Sequence, residues 1–519
     1  MRAMAQQQQG ILFLLLLCYC LLWSSASSSS IRSRHVVSRL PGFDGELPFQ
    51  LQTGYVEVDR TAGVRLFYYF IPSERSPAED PLLLWLTGGP GCSGLSGLIY
   101  EIGPLSFDLH ASMCGLPKLV YKPESWTKVS NVIFLDSPVG AGFSYADTYA
   151  GFISSDTKAV DQILVFLTNW FHGHPEFLSN PLYIAGDSYS GMIVPAVASG
   201  IATGKHEPSL KLNLKGYLLG NPVTDHNFDR PSKIPFAHAM GLISDEMYEA
   251  YKKRCSVEDD AHQNVQCTNT VDAIKECVTG INKNHILEPK CTFASPHPYK
   301  LKPFDSRLGR QMLQLRDLHL SEISRECRMA EYTMSRIWAN DVTVREALGI
   351  HEGTVPLWQR CNYDILYTYD FNSSLRYHLD LTTKGYKGLV YSGDHDMIIP
   401  YIGTQAWIRS LNFSVVDDWR PWFVQGQVAG YTRSYSNNLT FATVKFLGEI
   451  ERDHSVHTFG IRTMNPPWQR VVPFKFGVVG VEVREVSLRY SVLADQVLLN
   501  QIGWGAPDQD IEIKGLVGR

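Results

Sequence analysis

Ser188 stands in Gly186-Asp187-Ser188-Tyr189-Ser190-Gly191, directly after the apolar run Pro181-Leu182-Tyr183-Ile184-Ala185. An ordinary serine hydroxyl is a weak nucleophile. It becomes a competent one when a sharp strand-to-helix turn exposes its oxygen and a neighbouring base takes the proton. The fifth residue of this G-x-S-x-G-like motif is Ser190 rather than glycine. So small a side chain still lets the following helix approach the strand, and Gly191 comes next. A plain strand-to-helix connection would use similar residues, so the hexapeptide needs partners elsewhere in the chain.

Two other segments offer them. Trp85-Leu86-Thr87-Gly88-Gly89-Pro90-Gly91-Cys92-Ser93 closes an apolar run with three glycines around a proline. Backbone that must approach an oxyanion closely needs residues without Cβ, and a Gly-Gly turn can aim an N–H at one point. The N–H of Tyr189, the residue after the serine, would be its companion. A rigid connecting turn is the plainer alternative. Tyr391-Ser392-Gly393-Asp394-His395-Asp396 ends another apolar run, and its carboxylates follow the serine in the chain order Ser, Asp, His that suits an α/β-hydrolase. Asp396 is the expected acid and Asp394 the alternative.

Elements must bring these segments together. Leu82–Leu86, Val132–Leu135, Leu182–Ile184, Tyr217–Leu219 and Gly388–Tyr391 are short apolar runs bounded by turn residues, which predicts buried strands. Val160, Ile163, Leu164 and Leu167 recur with helical spacing after Ser154 and Ser155, which predicts a helix with one apolar stripe. Alternating strands and helices imply an α/β fold with a mostly parallel central sheet, whose chemistry sits beyond the carboxyl ends of the strands. From about Thr224 to Trp338 the strand signal fades and cysteines cluster. This reads as an inserted, disulfide-tied helical cap, with an exposed loop from Pro296 to Asp305.

The ends and composition set the compartment. Arg2, the apolar stretch Ile11–Trp23 and the small residues from Ser24 to Ser30 predict a secretory signal peptide, residues 1–26, cleaved near Ala26. The apolar stretch is too short to span a bilayer of about 30 Å, so no membrane anchor is expected after cleavage. Eight cysteines remain beyond Cys18 and Cys20, an even number that suits disulfides in an oxidising pathway. No Cys-x-x-Cys pair occurs, which argues against a zinc ribbon; no metal or cofactor is expected. Asn372-Ser373-Ser374, Asn412-Phe413-Ser414 and Asn438-Leu439-Thr440 are glycosylation acceptors. A net charge of −5 over 519 residues, with lysine and arginine scattered, excludes the basic stripe of a nucleic-acid partner.

Taken together, WLTGGPGCS, Glu101-Ile102-Gly103-Pro104, the segment Phe134 to Tyr145 (FLDSPVGAGFSY), GDSYSG, Gly220-Asn221-Pro222 and YSGDHD, all in order, resemble the serine carboxypeptidase family in its plant serine carboxypeptidase-like branch. The resemblance covers residues 35–445. It implies an α/β-hydrolase domain with a helical insertion at about 224–338. It also implies Ser188 as nucleophile, Asp396 as the acid that orients the catalytic histidine, and the N–H groups of Gly89 and Tyr189 as oxyanion hole. Disulfides Cys92–Cys361, Cys255–Cys267 and Cys291–Cys327 are implied as well, leaving Cys114 and Cys277 over. Delivery would be extracellular or vacuolar.

In carboxypeptidases of the family, an asparagine in the glycine turn, a glutamate nine residues after its cysteine and the glutamate before the nucleophile bind the substrate's terminal carboxylate. This chain keeps Glu101 but has Thr87, beside Gly88, and Asp187. Asp is about 1.5 Å shorter than Glu, and Thr cannot present the donor and acceptor of an amide side by side. Asp187 and a non-Asn turn resemble the relatives that transfer acyl groups from glucose esters to small acceptors. The expected substrates are therefore a small-molecule acyl donor and acceptor, with a peptide C-terminus as the alternative.

The pattern breaks after Lys445. The family's Gly-rich histidine loop should follow Phe441-Ala442-Thr443-Val444-Lys445, but Phe446-Leu447-Gly448-Glu449-Ile450 stands there. His457, with His454 as the alternative, is the nearest substitute base, although a surface histidine is the plainer reading of each. Residues 446–519 read as an atypical tail of the kind an alternative transcript or a retained intron produces. An inactive isoform is the corresponding third reading.

Overall fold

The computed structural model describes residues 34–109, 115–205, 210–255, 265–290, 328–424 and 426–445. In chain order its main strands are β1 (His35–Val37), β2 (Leu51–Asp59), β3 (Val64–Ile71), β4 (Leu82–Leu86), β5 (Asn131–Leu135), β6 (Leu182–Asp187), β7 (Leu214–Gly220), β8 (Lys387–Gly393), β9 (Val415–Val424), β10 (Gln427–Tyr435) and β11 (Leu439–Val444). They form one eleven-stranded sheet in the order β1-β2-β3-β5-β4-β6-β7-β8-β11-β10-β9.

The six strands from β5 to β11 in that order pair in parallel. Antiparallel strands flank them, β1 to β3 on one side and β10 and β9 on the other. The parallel centre is the part written as unbroken apolar text, because both of its faces are covered. Alternate side chains divide between two cores. Trp85, Phe134, Ala185 and Tyr391 pack on one face, and Leu84, Ile133, Ile184 and Leu219 on the other.

Helix α1 (Asp156–Gly173) lays Val160, Ile163, Leu164 and Leu167 on the second core. Ser155 caps it, its Oγ accepting the Lys158 N–H at 3.2 Å. Helix α2 (Ser190–Ala202) packs beside α1 so closely that a Cβ on Gly200 would stand 2.5 Å from Leu164 Cδ1.

Between β7 and β8 the described residues of 224–338 hold helices and no strand. They include α3 (Asp245–Arg254), α4 (Val265–Cys277) and α5 (Arg328–Ala339). Cys255–Cys267 ties the end of α3 to α4, and Phe236, Ile243, Ile274 and Val278 give this insertion its own apolar core. Residues 1–26, the Pro296–Asp305 loop, Cys114, Cys291, Cys327, His454, His457 and the rest of 446–519 lie outside the described residues.

Sequence patterning did not foresee β2, β3, β9 and β10. The edge strand β9 carries Asp417, Asp418 and Arg420 and is largely exposed, so it lacks the apolar run that marks the centre.

Candidate active site

β6 ends at Asp187 and α2 begins at Ser190, which leaves Ser188 and Tyr189 to make the whole reversal. Ser188 adopts φ +52°, a left-handed conformation that costs an L-residue about 1–3 kcal/mol. Three backbone bonds hold it there. Its N–H donates to Gly220 O at 3.0 Å, and its carbonyl accepts from Gly191 N at 3.0 Å and Val223 N at 2.9 Å. The motif's glycines answer to space. A Cβ on Gly186 would stand 2.4 Å from Leu86 O, and one on Gly191 2.3 Å from Val223 O. Serine at position 190 has a reason of its own: its Oγ donates to Leu86 O at 2.8 Å, tying the turn to the end of β4.

The glycine turn after β4 lies against this elbow. A Cβ on Gly88 would meet Ser188 Cβ at 2.6 Å and Tyr189 N at 2.9 Å. Gly89 has φ +116°, which glycine adopts without strain. Two main-chain segments thus meet at contact distance, one of them opening a thirteen-residue helix. Beside the turn a small pocket opens between Thr87, Pro90, Ser137, Tyr189 and Tyr367. Its floor is braced by Asp156, whose Oδ1 accepts from the hydroxyls of Tyr189 at 2.7 Å and Tyr367 at 2.8 Å. Burial, reinforced by that carboxylate, pushes both phenols well above their ordinary range.

Asp136, which sequence reading did not single out, anchors the far side of the turn. It is fully buried and accepts from Ser93 Oγ at 2.6 Å, Gly94 N at 2.7 Å and Phe143 N at 2.7 Å. Burial still raises its pKa to about 7. The cue was present in Gly142, where a Cβ would collide with the Asp136 carboxylate.

β8 delivers Asp396 to the same sheet edge, with β7 between it and the elbow. The Asp396 carboxylate is fully buried. Oδ2 accepts from Asn221 Nδ2 at 2.7 Å, and Oδ1 accepts from Ile398 N at 2.5 Å and Ile399 N at 3.0 Å. Burial outweighs these donors and lifts its pKa to about 7. Asp394 is placed differently. It is partly exposed and pairs with Nδ1 of its neighbour His395 at 2.5 Å. Asn221 was visible in sequence only as part of a motif; here its side chain holds the acid while its own N–H donates to Tyr391 O at 2.8 Å.

Asp187 and Glu101 are both buried. Asp187 Oδ1 accepts the N–H of Gly88 at 3.1 Å, so it faces the turn. Glu101 Oε2 accepts from the Trp85 indole at 2.6 Å. Thr87 is 5% exposed, and its hydroxyl has no hydrogen-bond partner among the described residues.

Cys92 and Cys361 are joined, which pins the glycine turn to the segment ahead of β8. Cys277 carries an exposed free thiol. Asn372, Asn412 and Asn438 are all exposed, Asn438 with its amide donating to Gly385 O at 3.1 Å. No group of three or more acidic, histidine or cysteine side chains suited to a metal occurs among the described residues, and no helix among them is long and apolar enough to cross a membrane.

β11 runs parallel to β8 with Val444 opposite Gly393, and Asp394 N donates to Val444 O at 3.1 Å. β11 therefore ends at the edge of the sheet that carries Asp396.

A serine carboxypeptidase family profile matches residues 41–449. The chain is 48% identical to serine carboxypeptidase-like 1 of Arabidopsis thaliana over 422 residues, 81% of this chain and 89% of that protein. It is 46% identical to serine carboxypeptidase-like 13 of the same plant over 440 residues, 84% and 93% of the two chains. Among solved structures, Kex1Δp, a prohormone-processing carboxypeptidase from Saccharomyces cerevisiae, superposes with a TM-score of 0.62 at 20% identity, covering 80% of this chain and 92% of that one. That last likeness concerns the fold. With a matching profile over most of its length and relatives near half identical, the chain belongs to the serine carboxypeptidase family.

Proposed function

We propose that this protein transfers an acyl group from an ester donor, such as a glucose ester, to the hydroxyl of a small acceptor in the secretory pathway or vacuole. Ser188 Oγ attacks the donor carbonyl and loses its proton to a base. The C–O bond to the sugar breaks, the sugar oxygen takes that proton, and an ester remains on Ser188. The acceptor hydroxyl then attacks this ester, gives its proton to the same base, and leaves with the acyl group as Ser188 regains a proton. The N–H groups of Gly89 and Tyr189 hold the oxyanion in both halves. Asp396 orients the base, which the segment after Lys445 supplies, with His457 as the assignment and His454 as its alternative.

Asp187 carries the choice of transfer over peptide cleavage. Its carboxylate is directed at the Gly88 N–H inside the protein, and Thr87 stands where a peptidase needs an amide. A peptide's terminal carboxylate would then meet a clamp altered at two of three positions. Glu101, buried on the Trp85 indole, favours the second reading, a serine-type carboxypeptidase. A third reading, an inactive isoform, draws on the sequence after Lys445, where Phe446-Leu447-Gly448-Glu449-Ile450 stands in place of the family's Gly-rich histidine loop.

Purified protein incubated with a glucose ester plus an alcohol, and separately with a blocked dipeptide, tests the proposal. A transferred ester supports it, and release of the C-terminal amino acid alone overturns it in favour of the peptidase. Inertness toward both, with Ser188 unlabelled by a serine-directed phosphonate, establishes the inactive isoform. Sequencing the transcript across Lys445 then decides whether a Gly-rich histidine loop replaces the tail.

A further inference from the structure

Asp396 is flanked on both sides by one turn of the helical insertion. Ile286 N donates to His395 O at 3.1 Å, and Met397 N donates to Lys283 O at 2.9 Å. The residues immediately before and after the buried acid are thus both bonded to the segment 283–286. Side chains repeat the connection. Met397 is 5% exposed and belongs to the insertion's own core with Phe236, Ala237, Ile274 and Val278. The imidazole of His285 stacks on that of His395, with ring centres 5.8 Å apart and planes 20° from parallel.

The chemistry of that stack depends on charge. His285 Nδ1 accepts the Leu287 N–H at 3.3 Å, so the ring as placed has a lone pair on that nitrogen and, if neutral, carries its proton on Nε2. Protonating Nδ1 removes the acceptor that shapes the turn. His395 Nδ1 faces Asp394 Oδ1 at 2.5 Å, so one positive charge in the stack has a counter-ion. A second charge on the facing ring is repelled by the first. Among the described residues, the other ionisable groups near the contact include Lys283 and Glu288 on the turn, Asp396 itself, Lys233 at the start of a cap helix, and Tyr401, which lies within the field of Asp394. Glu288 is engaged by Asn282 Nδ2 at 3.3 Å. Imidazole is the side chain whose ordinary titration falls between about pH 5 and 8.

We propose that the cap turn 283–286 positions Asp396, and that the His285–His395 stack makes this brace sensitive to acid. The role of Asp396 rests on the function proposed above, whereas the brace is a property of the two loops. His285 and His395 are accordingly positioning residues. Protonation of His285 at Nδ1 removes the Leu287 hydrogen bond, two charged rings repel, and the two backbone bonds beside Asp396 then open more often. The insertion, which covers the acid loop, thereby couples local pH to the geometry of the acid.

Amide hydrogen exchange of the full chain, corrected for the intrinsic pH dependence of exchange, reads the brace without recourse to activity. Protection at Ile286 and Met397 should fall on the order of tenfold or more between about pH 8 and pH 5, while protection in β6 and β7 stays level. His285→Phe keeps a stacking ring that cannot titrate, and should abolish that pH dependence. His395→Phe is the second variant should the first lower overall stability, and it should do the same. Constant protection across this range in the parent protein, or an unchanged pH dependence in a folded phenylalanine variant, overturns the proposal. Activity assays of Ser188 and Asp396 variants fail or succeed independently of this result.

Discussion

The side-chain amide of Asn221 donates to the buried Asp396 carboxylate at 2.7 Å, while the carbonyl of the preceding residue, Gly220, accepts the N–H of Ser188 at 3.0 Å. One dipeptide at the end of β7 thus fixes both the turn at Ser188 and the orientation of the Asp396 carboxylate. Asn221 itself sits at φ +42°, a conformation asparagine tolerates better than most residues.

Replacing Asn221 with leucine should remove one of three donors to the ionised Asp396. Its pKa, already about 7, then rises further, so activity is lost from the acid side at a higher pH than in the parent. A misplacement of this kind costs on the order of 10²-fold in turnover. The pH profile of Ser188 labelling by a phosphonate measures both effects. An unmoved acid limb would show that Asn221 serves folding alone.

Gly88→Ala probes the contact between turn and elbow. The added Cβ would lie 2.6 Å from Ser188 Cβ, and neither backbone can retreat without losing the Asp187 to Gly88 bond or the left-handed turn. Labelling of Ser188 should fall at least about 10²-fold when measured well below the variant's melting temperature, which the clash itself should lower. Equal labelling rates would mean that the turn is not part of the oxyanion site.

How far these features were legible depends on whether sequence neighbours carry them. Ser188, Gly88 and Gly89 could be read because the strands before them are unbroken apolar text and the steric demand falls on adjacent glycines. Asp396 could be read as a strand-end carboxylate. The Asn221 contact could not, since it joins residues 175 positions apart and leaves no periodic trace. The same holds for Asp136 and Ser93, and for the brace from Lys283 to Met397. The edge strands β9 and β10 escaped because their exposed faces carry charge. His454 and His457 lie beyond the described residues.

Stability should rise on mild acidification. Burial lifts the carboxyls of Asp136, Asp229 and Asp396 to about 7. As pH falls from about 7 toward the ordinary carboxylate range, the folded protein takes up protons that the unfolded chain does not, which favours the fold. Thermal melts should therefore give a higher midpoint near pH 5 than near pH 8. Asp229→Asn, which cannot titrate, should shrink the difference, and a midpoint that falls throughout this interval would contradict the assignment.

His378 sets the opposite limit. It is fully buried, its Nδ1 hydrogen-bonded with the Tyr217 hydroxyl at 2.8 Å and its ring against Trp407, and burial lowers its pKa to about 3. Below the ordinary imidazole range the unfolded chain gains a proton that the folded one refuses, so this group offsets part of the carboxyl gain from about pH 6.5 downward and lowers stability outright once the carboxyls of the unfolded chain also titrate. After allowance for its lower stability at neutral pH, urea unfolding of His378→Asn should show a larger gain than the parent between about pH 6.5 and 5 and a smaller loss at lower pH. Parallel profiles would place this opposing sensitivity elsewhere.

The choice between transfer and peptide cleavage is testable by restoring the clamp. Thr87→Asn supplies an amide in the turn, and Asp187→Glu extends the carboxyl by about 1.5 Å, past the Gly88 N–H that it now accepts. Either change alone rebuilds one position and leaves the other short. With both in place, Glu101 would again have two partners for a terminal carboxylate, and a protonated member of the set can donate to it at mildly acidic pH. Two recovered hydrogen bonds to a charged group are worth about 3 kcal/mol or more, some 10²-fold in relative rate. The ratio of blocked-dipeptide hydrolysis to acyl transfer should rise by about that factor in the double variant, mostly through a lower KM for the peptide. A ratio that stays fixed would mean that Asp187 and Thr87 do not set the acceptor or the substrate, and that specificity lies instead in the pocket beneath Tyr189 and Tyr367.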